Sequence, residues 1–134
     1  MNIAILAAIA APLLLAFDLL WLGLIMPGFY RANLGHLMSG SIGWTAAIAF
    51  YALYAVGLAY FVIQPAVGSL SLVRAIAVGA FFGFVAYATY DLTNQATLRD
   101  WPFVVTVVDM LWGALLSGVV STLTYLLATK VFGL

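Results

Sequence analysis

The chain has 134 residues, 67% of them hydrophobic and 6% charged, with a mean hydropathy of +1.22, far from the composition of a soluble domain, in which about a quarter of residues are charged. Four acids balance four bases, so there is no basic surface for nucleic acid and no polybasic tail for anionic lipid. Cysteine is absent, which excludes thiolate catalysis, disulfide exchange and cysteine-based metal or iron–sulfur sites.

What remains is a polytopic, all-α membrane protein: a single transmembrane domain over residues 1–134, folded as a compact four-helix bundle. The first helix is expected over about residues 3–25. The apolar run has no Lys or Arg ahead of it and continues past Pro12, so it reads as a span rather than a signal peptide. Its second half carries Asp18 and Trp21, and Pro27-Gly28 is expected to stop it. A loop follows, with Tyr30, Arg31, Asn33 and His36, part of it suited to an interfacial turn. Ser39 and Ser41 are candidate caps for the next helix.

The second helix is expected over about residues 42–64, with Tyr51 and Tyr54, ended by Pro65. A short Gly-Ser loop then makes helices two and three antiparallel neighbours. The third helix is expected over about residues 72–91. Ala75, Gly79, Gly83, Tyr87 and Asp91 recur every four residues on one stripe, and the Gly79/Gly83 pair would let another helix approach closely, within the bundle or in a homodimer. Between helices three and four lies a short polar connection in which Thr93, Asn94, Arg99 and Asp100 either end and start helices or touch a ligand. Arg99 could pair with a neighbouring acid, and Asp100 could cap the fourth helix. That helix is expected over about residues 102–129, with Asp109 and Trp112 near its start, a run of hydroxyls in its second half and Lys130 at its end.

Four spans place both termini on one side. Arg31 and Arg99 on one face balance Arg74 and Lys130 on the other, so charge does not decide the orientation, and cytoplasmic termini are adopted as the expectation. Asp18 falls about 13 Å below the first-loop face and Asp109 about 10 Å, counting 1.5 Å per residue. Tyr51 and Tyr54 reach similar depth on helix two, while Tyr87, Tyr90 and Asp91 sit at or just below that face on helix three, so polar groups of all four helices gather in one half of the bundle. A carboxylate at this depth costs at least ~2.5 kcal/mol and faces the bundle interior, where it holds a proton, a partner or a cation. Asp18-x-x-Trp21 and Asp109-x-x-Trp112 resemble each other, as do Tyr51-x-x-Tyr54 and Tyr87-x-x-Tyr90. The order pairs helix one with four and two with three, so it reflects placement rather than tandem duplication.

Weighed against these readings are plainer ones. The Asp18/Asp109 pair could fix helix packing through Tyr or Trp. Most tyrosines and Trp21, Trp44, Trp101 and Trp112 suit aromatic belts at the headgroups, Tyr54 and Tyr87 being the best exceptions. His36 stands alone, and no metal or cofactor motif, phosphate loop or catalytic triad order is present.

Phe17-Asp18 with Trp21-Leu22-Gly23, Phe50-Tyr51 with Tyr54, Gln64-Pro65-Ala66, the Tyr87–Asn94 block followed by Ala96-Thr97, Trp101-Pro102, and Asp109 with Trp112-Gly113 together resemble a family of small four-helix membrane proteins of the bacterial inner membrane, labelled a domain of unknown function. The resemblance covers almost the whole chain. It implies fold and location, no activity, and an association with bacterial gene groups that modify membrane lipids. The expected function is binding or transport of a small ligand, proton or cation at Asp18, Asp109, Tyr51, Tyr54, Tyr87, Tyr90, Asp91 and Asn94. Trp21, Trp112, Thr93, Arg99 and Asp100 would support the site. The alternatives are a membrane-embedded enzyme acting on lipid and an accessory subunit with a structural polar core. Expected partners are membrane lipids and a second copy or another membrane protein.

Overall fold

The computed structural model describes residues 2–134, and the described residues are almost wholly helical. Helix α1 spans Ile3–Leu20, started by Asn2, whose side-chain oxygen accepts from the Ala4 amide at 2.8 Å. Pro12 lies within it without ending it. One π turn, Trp21–Ile25, extends the span and closes with the Met26 amide donating to the Trp21 carbonyl. Pro27 then begins a second helix rather than merely stopping the first. Helix α2, Pro27–Leu34, uses Pro27 in its first turn, where a missing N–H removes no bond, and runs into a 3-10 turn, Gly35–Leu37.

Helix α3 covers Trp44–Leu58 and starts at Gly43 with no side-chain cap, so neither Ser39 nor Ser41 serves there; the Ser39 hydroxyl accepts from the Ser41 amide instead. A π turn, Ala59–Ile63, leads into α4, Gln64–Gly68, and the widened turn admits Pro65 without ending the span. Helix α5, Leu72–Thr97, is capped by the Ser71 hydroxyl accepting from the Arg74 amide at 3.1 Å. It outruns its expected end by six residues. No Gly or Pro stands in residues 92–97, so the polar tail leaves the membrane still helical. The chain turns only at Leu98, with Asp100 in the left-handed region (φ 60°). Helix α6, Phe103–Leu126, begins after Pro102 with no side-chain cap, so Asp100 does not cap it, and a π turn, Leu127–Val131, completes it.

Four stretches are long and apolar enough to cross a membrane: Ile3–Ile25, Trp44–Gly68, Leu72–Thr97 and Phe103–Val131. Their outward faces carry exposed Leu, Ile, Val and Phe, as lipid contact requires. Helices α5 and α6 form the tightest pair, while α1 packs against both α3 and α6. The Gly79/Gly83 stripe is spent inside this chain. A Cβ on Gly79 would sit 2.8 Å from the Ser121 Cβ, and one on Gly83 would run into the Gly113 carbonyl and the Ser117 side chain. The seam is occupied by α6, which corrects the expectation that it meets a second copy.

The apolar core centres on Leu6, Leu14, Leu58, Ile63 and Val120, toward the termini side. Above it, toward the α2 side, the buried groups become polar.

Candidate functional site

Asp18 and Trp21 lie three residues apart at the end of α1, as do Asp109 and Trp112 near the start of α6, a spacing that puts each pair on one helix face. These faces meet. The Trp21 and Trp112 rings stack at 4.3 Å with planes 4° apart, and each tryptophan serves the opposite helix's acid. Trp112 Nε1 donates to Asp18 Oδ1 at 2.9 Å, and the Tyr51 hydroxyl of α3 donates to Asp18 Oδ2 at 2.7 Å. Trp21 Nε1 donates to the Tyr30 hydroxyl at 3.0 Å, which donates to Asp109 Oδ1 at 2.6 Å. Asp18 is therefore satisfied on both oxygens, in the peg-like manner of a structural acid.

Asp91 is different. It is wholly buried, and neither carboxyl oxygen receives a hydrogen bond from any donor among the described residues. The charged group that bears on it is the neighbouring carboxyl of Asp109, across the α5–α6 seam. Above it, Gln95, Trp101 and Thr106 form a closed ring. Trp101 Nε1 donates to the Thr106 hydroxyl at 3.1 Å, the Thr106 hydroxyl donates to Gln95 Oε1 at 2.8 Å, and Gln95 Nε2 donates to the Trp101 carbonyl at 2.9 Å. Trp101 is thus a buried lid residue rather than a headgroup anchor.

Beside Asp109 lies a cleft of about 460 Å³, lined by Phe50, Tyr54, Ala86, Tyr87, Tyr90 and Asp109. Tyr54 shares a 2.6 Å hydrogen bond with the Ser117 hydroxyl and meets Tyr87 edge-on at 6.2 Å. Asn94 follows Tyr90 by one helical turn on α5, which places it at the rim. A larger groove, about 540 Å³, runs along the outer face of α5 and α6 between Ile76 and Leu123, but only lipid-like surface lines it apart from Thr122, whose hydroxyl donates to the Gly118 carbonyl. The chemistry is at the smaller cleft.

The site thus gathers Asp18, Asp109, Asp91, Tyr51, Tyr54, Tyr87, Tyr90, Asn94, Trp21 and Trp112. Thr93, Arg99 and Asp100 stay outside it, all exposed. Arg99 forms no ion pair, and no ion pair occurs among the described residues, because Arg99 lies beyond the helix end while Asp91 is a turn and a half inside it. His36 is exposed, and no cluster of three metal-ligating side chains exists among the described residues. Sequence reasoning missed Tyr30, Gln95 and Thr106. Pro27 was the available signal for Tyr30, since a proline suited to a first helical turn implies that the next residues are ordered. The Tyr30 phenol lies outside the spans, and burial, reinforced by its bond to Asp109, pushes it above the ordinary tyrosine range.

Fold and site together define a polytopic α-helical membrane protein with a carboxyl-rich polar cluster inside the bundle. Over residues 3–126 the chain matches the model of the family described as "Predicted membrane protein (DUF2177)", and it belongs to that family, whose function is unknown. No match was found among curated proteins or solved structures.

Proposed function

We propose that this protein binds a proton at the Asp91–Asp109 carboxyl pair and couples it to a small ligand held in the adjoining cleft, in a bacterial inner membrane with cytoplasmic termini. One observation carries the reading: Asp91 is fully buried, receives no donor among the described residues and has a second carboxyl as its neighbour. Two ionised carboxylates about 4 Å apart repel by about 4 kcal/mol at an effective dielectric near 20. Among the described residues no Lys or Arg pairs with them. One proton between them turns the repulsion into a short charge-assisted hydrogen bond. Two carboxyls offer too few oxygens for Ca²⁺, which takes about six to eight.

A second reading, a membrane-embedded enzyme acting on lipid with Asp109 as general acid or base, draws on the same cleft, because Asp109 lines it. The test is infrared difference spectroscopy of the protein in nanodiscs across a pH titration. The expected result is a protonated-carboxyl C=O band that shifts in D₂O and vanishes in both Asp91→Asn and Asp109→Asn. Absence of that band, or its survival in both variants, overturns the proton reading. Steady turnover of a bilayer lipid that stops in Asp109→Asn would favour the enzyme.

A further inference from the structure

The cleft beside Asp109 is built from three helices at one depth. Phe50 lies six residues after the start of α3, Asp109 six after the start of α6 and Tyr90 seven before the end of α5. At 1.5 Å per residue each is about 9–10 Å below the helix ends on the α2 side. Lower in the bundle α5 packs against the Ala59–Ile63 turn and α4, and Phe82 of α5 meets Tyr54 edge-on at 5.6 Å. Above Phe82, Tyr54 and Tyr87 meet edge-on at 6.2 Å, and the cleft opens beside them. Phe50 and Tyr90 are 44% and 58% exposed, so its mouth opens on the side of the bundle, at the level where α5 leaves the membrane.

Four aromatic rings and one carboxylate surround this space, with no Lys or Arg in its lining. The rings do not stack flat on one another: Tyr54 and Phe50 are tilted by 42°, and Tyr54 and Tyr87 stand at 89°. The Tyr87 hydroxyl takes no hydrogen bond from the described residues. Rings at varied angles around an anionic group recognise a cationic ammonium head, whose charge is attracted to each π system within about 6 Å. A phosphate on the same head would meet carboxyls and no cation.

We propose that the cleft is an aromatic cage for a single-chain amphipath with an ammonium head and no phosphate, which enters sideways from the bilayer with its chain left in lipid. The proposal rests on the reading of Asp91–Asp109 as the charged pair of the site, for which the ammonium is the counter-charge. The volume, about 460 Å³, lies within the common range for small-molecule sites.

The test uses the full chain in zwitterionic nanodiscs with a dodecyltrimethylammonium carrying a spin label on its chain. The same labelled chain with a sulfate head or a phosphocholine head serves for comparison. The expected result is saturable immobilisation of the ammonium probe alone, lost in Asp109→Asn and weakened about tenfold when Phe50→Leu and Tyr90→Leu are combined. Both aromatics lie at the exposed mouth, and retention of the protonated-carboxyl band in that double variant certifies an intact core. Equal immobilisation of all three heads, or ammonium binding unchanged by the double variant while the band persists, overturns the cage and leaves the proton site standing. Saturable ammonium binding in a protein without the band supports the cage and removes the proton reading alone.

Discussion

At the scale of single residues, the three buried acids solve the same problem in different ways. Asp18 takes two protein donors, Asp109 takes Tyr30 and Asp91 takes none. A group left without donors in a low-dielectric core is costly, and such cost persists where function uses it. Asp91→Asn would supply N–H donors toward Asp109 and relieve the confrontation. The expected outcome is a variant at least as resistant to SDS unfolding as the parent yet without ligand or proton binding; a marked loss of resistance would show Asp91 to be a structural acid. Tyr30 makes a pH-dependent case. Its phenol is shifted upward by burial and by Asp109, so above about pH 10 the unfolded chain loses this proton while the folded chain keeps it, and stability falls as pH rises. Tyr30→Phe removes that contribution and costs about 1–3 kcal/mol near neutral pH through the lost bond to Asp109. Unfolding midpoints at about pH 8 and about pH 11 should then fall further in the parent than in the variant.

At the scale of elements, the α5–α6 seam decides whether the site exists, since it sets Asp91 against Asp109. Gly83→Ala drives a methyl into the Gly113 carbonyl, backbone that cannot step aside. Gly79→Ala meets the Ser121 side chain at 2.8 Å, and Gly118→Ala finds the Ala80 Cβ at an ordinary 3.4 Å. The expected order of damage in detergent unfolding is Gly83→Ala, then Gly79→Ala, with Gly118→Ala within about 0.5 kcal/mol of the parent. Equal effects would mean that the helices do not pack this closely. The stripe of small residues was legible because a four-residue period is a property of the chain itself, but its partner was not, since a small-xxx-small face fits any close helix. The ends of elements were legible only where a breaker stood. Residues 92–97 stayed helical because polarity marks the exit from lipid and not the end of a helix. Pro65 was passed over because a π turn accommodates it, which no local sequence rule announces.

At the scale of the whole molecule, hydropathy fixed four spans because the bilayer leaves helices little alternative, and counting residues along them brought Asp18, Asp109, Tyr51 and Tyr54 to one depth, with Tyr87, Tyr90 and Asp91 nearer the face. Depth does not say which groups touch. The exchange of tryptophans between α1 and α6, the donor-free face of Asp91 and the lid of Gln95, Trp101 and Thr106 all depend on helix rotation, which apolar surfaces on every side leave undetermined in the sequence. Orientation is likewise open to measurement, because Arg31 and Arg99 offset Arg74 and Lys130. It matters for mechanism: the carboxyl pair lies about 10 Å below the α2-side helix ends, far closer to that compartment than to the one holding the termini. With cytoplasmic termini, protons and the cleft's charged end would be reached from outside the cell. The chain contains no cysteine, so single replacements report cleanly. Ser39→Cys, exposed before α3, should react with a membrane-impermeant maleimide in intact cells, whereas Ser69→Cys, exposed between α4 and α5, should react only after permeabilisation. The reverse pattern would put the termini outside and make the cytoplasm the compartment that the Asp91–Asp109 pair samples.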